Sequence, residues 1–280
     1  MSEPVVAIVS PGAMGAAIGA RLHRHGVRVV TPAGRSEASV ARAKAAGFEF
    51  VDESTLGEAD FVFSIVSPSI AASVAERLAA TVGHGSRQPV FIDWNAVSPQ
   101  TAARTAAVIG VAGGRFADGG IIGLPPGPEG PGPLLFASGN HAAELNRLAD
   151  RGVRFRVLEG PVGKASGLKM SYAGITKGTI ALGTAMLLAA HRSGCGPELA
   201  AELAASQAQM FAGFQRSVPD MFGKAERWVP ELHEIAAFVG ERRPEHGIYD
   251  AMAQFYASIA ADVNGDGELS AILTEILKPH

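Results

Sequence analysis

The first half of the chain alternates short apolar runs with alanine-rich stretches of helical spacing, and this alternation limits its folding choices more than any other feature. Val5 to Val9 is apolar without a break, as expected of a strand covered on both faces. Ala13 to His25 reads as a helix, Val27 to Thr31 as a second strand, Ala38 to Ala46 as a helix and Phe48 to Val51 as a short strand. Phe61 to Val66 and Val90 to Asp93 repeat the pattern, each followed by an alanine-rich return. Such alternation implies a doubly wound parallel sheet with right-handed crossovers. Gly119 to Pro133 is too rich in Gly and Pro to be helical, and Leu134 to Ala137 and Val153 to Val157 read as further strands around a helix from Ala142 to Asp150. From Lys164 onward the pattern is helical, with breaks expected at Gly194 to Pro197, Val218-Pro219, Gly240, Pro244 and Gly265. A domain boundary is expected near residue 162, with an α/β domain over 1–162 and an all-helical one over 163–280.

Composition fits a layered, well-buried protein: 47% of residues are apolar and 18% charged, which excludes a disordered chain. Lys and Arg number 24 against 27 Asp and Glu, for a net charge of −3, so no nucleic-acid partner held by bulk positive charge is expected. Cys195 is the single cysteine, so neither an intramolecular disulfide nor a paired-cysteine metal site is expected. No metal is expected from the eight histidines, which lack ligand spacing. Asp262 to Gly267 looks like the start of a calcium loop, but its twelfth position is Leu273 where a bidentate Glu is needed; a turn and a helix start account for it. The segment Met1-Ser2-Glu3-Pro4 has no basic residue of the secretory-signal kind. The longest apolar stretch, Ile180 to Ala190, is about half of what a bilayer-spanning helix needs. A soluble cytoplasmic protein without membrane contact is therefore expected.

The turn after the first strand reads Ser10-Pro11-Gly12-Ala13-Met14-Gly15. A dinucleotide site places Gly-x-Gly-x-x-Gly at this point: the second glycine lets the backbone approach a pyrophosphate, the third lets the helix pack on the strand, and N–H groups at the helix start hold the anion. Gly12 and Gly15 take those two positions and Ser10 stands at the first; the bland reading is a plain tight turn. The second strand ends Thr31-Pro32-Ala33-Gly34-Arg35-Ser36, with no acid for a ribose 2′-hydroxyl. Arg35 offers a forked cation and Ser36 a hydroxyl to a 2′-phosphate, which makes NADP(H) the expected cofactor; otherwise Arg35 is a solvated loop residue. Val66, Ser67 and Pro68 are expected to border the nicotinamide ribose, because ligands bind outside the carboxyl ends of parallel strands.

Four segments occur in the order found in the β-hydroxyacid dehydrogenases: Met14-Gly15, Asp93 to Pro99, Asp118 to Gly123, and Gly163 to Lys169. The chain resembles that family, with its 6-phosphogluconate dehydrogenase-like and imine reductase-like members, over nearly its whole length, and within it a bacterial subgroup with a short helical C-terminal domain. The resemblance implies a Rossmann-type doubly wound parallel sheet followed by an all-α C-terminal domain. It also implies an NADP(H)-dependent oxidoreductase that moves a hydride to or from a carbonyl, hydroxyl or imine carbon of a small organic substrate. The alternative is a non-catalytic NADPH-binding scaffold or sensor. A methyltransferase would usually carry an acid at the end of the second strand, which this chain lacks.

By the same resemblance Lys169, six residues after Gly163, is the general acid/base, although the Asn that usually follows it by four is Ala173 here. Asn95 stands where the family carries a substrate-touching hydroxyl, and Ile122-Gly123-Leu124 replaces a carboxylate-binding Ser-Gly-Gly. That replacement points away from a small 3-hydroxy acid and toward a larger or less polar substrate. Tyr172 is a further polar candidate, and Lys177, two turns beyond Lys169 and roughly 12 Å along the axis, is either a ligand for a substrate anion or a solvated charge. Arg227 to Glu234 reads as an amphipathic helix with a buried Trp228, or as a segment that brings Glu231 or His233 to the substrate. The alanine-rich helices of the second half have little polar outer face, which favours a homodimer through that half.

Overall fold

The computed structural model describes residues 3–33 and 36–278. Eight strands form one sheet: Val5–Ile8 (β1), Arg28–Pro32 (β2), Glu49–Val51 (β3), Phe61–Ser64 (β4), Val90–Asp93 (β5), Arg115–Ile122 (β6), Leu134–Ser138 (β7) and Arg154–Val157 (β8). Their order is β3-β2-β1-β4-β5-β6-β7-β8, and the switch between β1 and β4 is that of a doubly wound fold. All neighbours run parallel except β6 and β7, which pair antiparallel with Asp118 opposite Ser138. The helices Ala13–Arg24 (α1), Glu37–Ala45 (α2), Pro68–Gly83 (α3) and Pro99–Val111 (α4) connect the parallel strands. The central strands are apolar throughout because they are buried on both sides. Val6, Ile8, Phe61, Phe63, Val90 and Ile92 belong to one core, and Ala7, Val62 and Phe91 to the other.

The structure departs from the sequence pattern at three places. Arg115–Ile122 is an eight-residue strand that begins ahead of the Gly/Pro-rich stretch and includes its first glycines. The stretch Ala142–Leu148 winds as a 3-10 helix rather than an α-helix. No break occurs at Val218-Pro219, since Pro219 lies inside Ala208–Phe222 (α7). Phe211, Phe214, Val218 and Met221 are all buried along one face of α7, and burial of that stripe offsets the roughly 3 kcal/mol that an interior proline costs. The chain breaks instead at Gln207 and around Gly223-Lys224.

Two compact units divide the chain, Met1–Met170 and Ser171–His280. The division falls inside Lys164–Arg192 (α5) rather than ahead of it near residue 162, because the first turn of α5 is bonded to β6. The second unit holds the rest of α5 with Gly196–Ser206 (α6), α7, Ala225–Val239 (α8), Pro244–Asn264 (α9) and Glu268–Ile276 (α10). Leu232, Ile235, Tyr256, Ile259 and Leu273 are among its fully buried side chains. Among the described residues, α5 alone is long and apolar enough to cross a membrane, and 44% of its most apolar window is buried inside the protein. It extends well past the Ile180 to Ala190 stretch.

Candidate active site

At the end of β1 the chain turns through Ser10, where the Gly12 N–H donates to the Ser10 carbonyl at 2.9 Å, and α1 begins. Gly12 is the N-terminal cap in extended backbone, with no side-chain hydrogen bond to the helix start and no acid in the first turn. The positive end of α1 is thus left for an external anion. A Cβ on Gly12 would meet no atom within 4 Å, whereas one on Gly15 would sit 2.7 Å from the Ser10 carbonyl and 3.3 Å from Ile8 Cγ2. Gly15 therefore lets α1 lie on β1, and Gly12 keeps the helix start open. Around that opening Ser10, Gly12 and Met14 are half-buried, Ala13 is exposed and Pro11 is buried. An open helix start with uncapped N–H groups fits the pyrophosphate of a dinucleotide.

Thr31 near the end of β2 donates its buried hydroxyl to the Ile8 carbonyl at 2.8 Å, tying the two strands together beside the turn. Arg35 lies outside the described residues. Ser36 caps α2, accepting the Ser39 N–H at 3.4 Å and donating to the Ser39 hydroxyl at 3.1 Å. Arg42 on α2 reaches back to the glycine turn, donating through Nε to the Pro11 carbonyl at 2.9 Å. Nothing in the sequence spacing of Arg42 signals this contact with a turn earlier in the chain.

The sheet register aligns Ser64, Asp93 and Asp118 across β4, β5 and β6. Two residues further along each segment come Val66, Asn95 and Gly120, just outside the carboxyl ends of β4 and β5. Asn95 is 2% exposed; its Oδ1 accepts the Val66 N–H at 2.6 Å, and its Nδ2 donates to the Ser64 hydroxyl at 2.9 Å. The amide expected to touch substrate is instead committed inside the protein, and it fixes the backbone of Val66. Beyond Val66, Ser67 bonds to the exposed Ser69 hydroxyl at 2.9 Å, and Pro68 opens α3; Val66, Ser67 and Pro68 are half-buried.

Lys169 is half-buried on α5, and a Cβ on Gly120 would lie 2.9 Å from the Lys169 Cβ and 3.0 Å from the Ala165 carbonyl. A Cβ on Gly119 would lie 2.4 Å from the buried Trp94 ring. The two glycines of β6 are thus places where a ring and a helix press on the strand backbone, and Gly120 brings the stem of Lys169 onto the sheet. Asp118, fully buried, sets the helix start. Its Oδ2 accepts from the backbone N–H groups of Gly163, Ala165 and Ser166 at 2.9, 3.0 and 3.0 Å and from the Ser138 hydroxyl at 3.0 Å. Its Oδ1 is buried without a hydrogen-bond partner among the described residues. Burial pushes the Asp118 carboxyl above its ordinary range, against the opposing pull of the Ser166, Ser138 and Gly163 donors.

Ile122 is the last residue of β6 and half-buried, and Gly123 follows with φ +128°, its Cβ position 3.1 Å from Pro133. Tyr172 and Lys177 belong to the second unit. Tyr172 is 49% exposed. Lys177 is neither a solvated charge nor open to a ligand anion: it is buried, its Nζ 2.8 Å from Glu231 Oε1 and 5.0 Å from the centre of the Trp228 ring. The buried Tyr256 hydroxyl donates to the Lys177 carbonyl at 2.7 Å, and burial pushes its phenol pKa up. Glu231 is thus spent on Lys177, while His233 lies on the surface 3.4 Å from Asp250. Among the described residues no cluster of His, Cys, Asp or Glu is placed to hold a metal ion.

A family profile described as the NAD binding domain of 6-phosphogluconate dehydrogenase matches residues 5–150, and one for a domain of unknown function matches residues 190–259. An uncharacterized 28.5 kDa protein of Methanothermus fervidus is 29% identical over 209 residues, 74% of this chain and 79% of its own. A solved conserved protein of unknown function, described as similar in structure to 3-hydroxyacid dehydrogenases, is 26% identical with a TM-score of 0.71, covering 94% of this chain and 99% of its own. The 3-hydroxyisobutyrate dehydrogenase of Mycobacterium tuberculosis, solved with L-serine, is 16% identical with a TM-score of 0.73 over 98% of this chain and 99% of its own. An imine reductase from Myxococcus stipitatus in complex with NADP+ is 20% identical with a TM-score of 0.62 over 98% of this chain and all of its own. The last two share the fold with this chain.

Proposed function

Because the chain belongs to the family defined by the NAD-binding domain of 6-phosphogluconate dehydrogenase, we propose that it is an NADP(H)-dependent oxidoreductase acting on a carbonyl, hydroxyl or imine carbon of a small organic molecule. The observation that carries this reading is the close approach of Lys169 to Gly120 on β6, next to the strand ends that carry Asn95 and Val66 and in the same unit as an open, uncapped α1 start. Residues Ser10 to Gly15 would hold the pyrophosphate, and Val66 to Pro68 the nicotinamide ribose. The bound nicotinamide supplies or takes up the hydride. Lys169 gives a proton to the substrate heteroatom during reduction and takes it back during oxidation. Asn95 keeps the Val66 backbone in place, and Asp118 keeps the helix carrying Lys169 in place.

The choice of NADP(H) over NAD(H) is supported by the sequence at the end of β2, where Arg35 and Ser36 stand and no acid does. Ile122 and the 72% exposed Leu124 support a substrate larger or less polar than a 3-hydroxy acid. A homodimer in the cytoplasm goes with this reading. Tyr172, Ile175, Leu182 and Met186 are 49%, 70%, 62% and 53% exposed and share one face of α5, an apolar stripe suited to a second copy of the chain. Lys177 of the same helix, paired with Glu231, suits a protein partner better than lipid.

The test is turnover with NADPH over a panel of ketones, imines and hydroxy acids, followed by Lys169→Met. Turnover should fall by roughly 10²–10⁴ with NADPH affinity unchanged. Wild-type turnover in the variant sinks the assignment of Lys169. NADPH binding with no turnover on any substrate favours a scaffold or sensor.

A further inference from the structure

A groove of about 680 Å³ lies between the C-terminal end of α1, the loop that precedes β7, and the start of β8. That volume is typical of sites for small molecules. Arg21, His25, Arg154 and Arg156 line it against a single acid, Asp150. Among the described residues none of the three arginines has a carboxylate partner. Arg154 donates to the Pro131 and Gly132 carbonyls at 3.0 and 2.7 Å, and Arg21 donates to the Gly130 carbonyl. Arg156 lies over the Phe136 ring with its guanidinium carbon 5.9 Å from the centre. These contacts fix the guanidinium groups without neutralising them. The Arg21 Nε and Nη1 are in addition buried with no acceptor among the described residues, so its charge acts on the groove incompletely compensated.

We propose that this groove is a second ligand site, for a small polyanion carrying phosphate or carboxylate groups. Fixed guanidinium forks match both group types through paired, charge-assisted hydrogen bonds. The groove is distinct from the glycine turn: Arg21 stands eight residues beyond Ala13, roughly 12 Å along the axis of α1. The exposed faces of Arg154, Arg156 and His25 make the contacts, and Arg21 adds field from behind the loop.

Titration calorimetry of the full chain, with and without saturating NADPH, tests this using tripolyphosphate and, separately, citrate. One equivalent of tripolyphosphate should bind with the same affinity in both conditions. Arg156→Gln, whose parent bonds to no backbone carbonyl among the described residues, should weaken that binding by roughly fivefold to tenfold with no change in melting temperature. Arg154→Gln should weaken it comparably. Citrate that competes with tripolyphosphate marks a site for polyanions of both kinds, and citrate that does not bind narrows it to phosphates; either supports the proposal. Failure of tripolyphosphate to bind, equal tripolyphosphate affinity in wild type and both variants, or loss of its binding when NADPH is added overturns it.

Discussion

The Asp118 carboxylate accepts the backbone N–H of Ser166 at 3.0 Å, and Ser166 stands three residues ahead of Lys169 on the same helix. A side chain from the middle of β6 thus sets the height and rotation of the helix that carries the proposed acid/base. Asp118→Ala removes an acceptor shared by several donors in a buried place and should cost about 2–4 kcal/mol in denaturant unfolding. Asp118→Asn keeps one acceptor and should cost less. An unchanged unfolding midpoint in Asp118→Ala would mean that the α5 start is held by other bonds.

Gly12 and Gly15 should respond oppositely to the same methyl group. Gly15→Ala forces a Cβ to 2.7 Å from the Ser10 carbonyl and should destabilise the protein by about 1–3 kcal/mol. Gly12→Ala has open space and extended backbone, so its melting temperature should stay near wild type. Its NADPH affinity should drop, because the methyl group stands where the pyrophosphate is expected. Equal melting temperatures for the two variants would contradict the separate roles.

Two carboxylates should tilt the pH dependence of stability in opposite directions. For Asp60, burial alone would raise the pKa, but the Val5 N–H donor with Arg147 and Arg87 outweighs it and holds the carboxyl below its ordinary range. Its contribution is present above the ordinary carboxylate pKa and is lost as pH falls through the lowered one. Asp60→Asn should therefore flatten the acid limb of stability against pH. Asp118 is raised, so the native state keeps a proton that the unfolded chain releases, and stability falls as pH rises from the ordinary carboxylate value through the raised one. Asp118→Asn should remove that decline. Urea unfolding across the acidic range reads both slopes.

The α5 stripe predicts a concentration-dependent dimer. Ile175→Glu and Leu182→Glu together place charge on an exposed apolar face and should shift sedimentation toward the monomer while the far-ultraviolet spectrum is retained. An unchanged sedimentation coefficient would place any dimer contact elsewhere.

β1, β4 and β5 were legible in the sequence because strands buried on both faces must be apolar throughout, and their neighbours demand nothing more specific. β6 was not legible as a strand. Its Gly119 and Gly120 look like loop residues until Trp94 and Lys169 are seen to occupy the space their side chains would need. Pro219 looked like a helix end because local propensity says so, and the buried stripe of α7 overrides it. Lys177 could not be read because its surroundings are set by Glu231 and Trp228 on another helix. In sequence alone Asn95 reads as touching substrate, because its bonds to Val66 and Ser64 depend on strand register, which a single sequence leaves open.

Paired dissociation constants decide whether a nicotinamide dinucleotide with a 2′-phosphate binds at the start of α1, as proposed. NADPH and NADH are each titrated into wild type and Arg35→Ala at one fixed salt concentration, since exposed charge contacts are screened by ions. Wild type should bind NADPH tighter than NADH, and the substitution should weaken NADPH roughly tenfold or more, about 1.4 kcal/mol per decade, while leaving NADH almost unchanged. Equal affinity of the wild type for both dinucleotides, or an equal loss for both in Arg35→Ala, would mean that no 2′-phosphate is held there by Arg35.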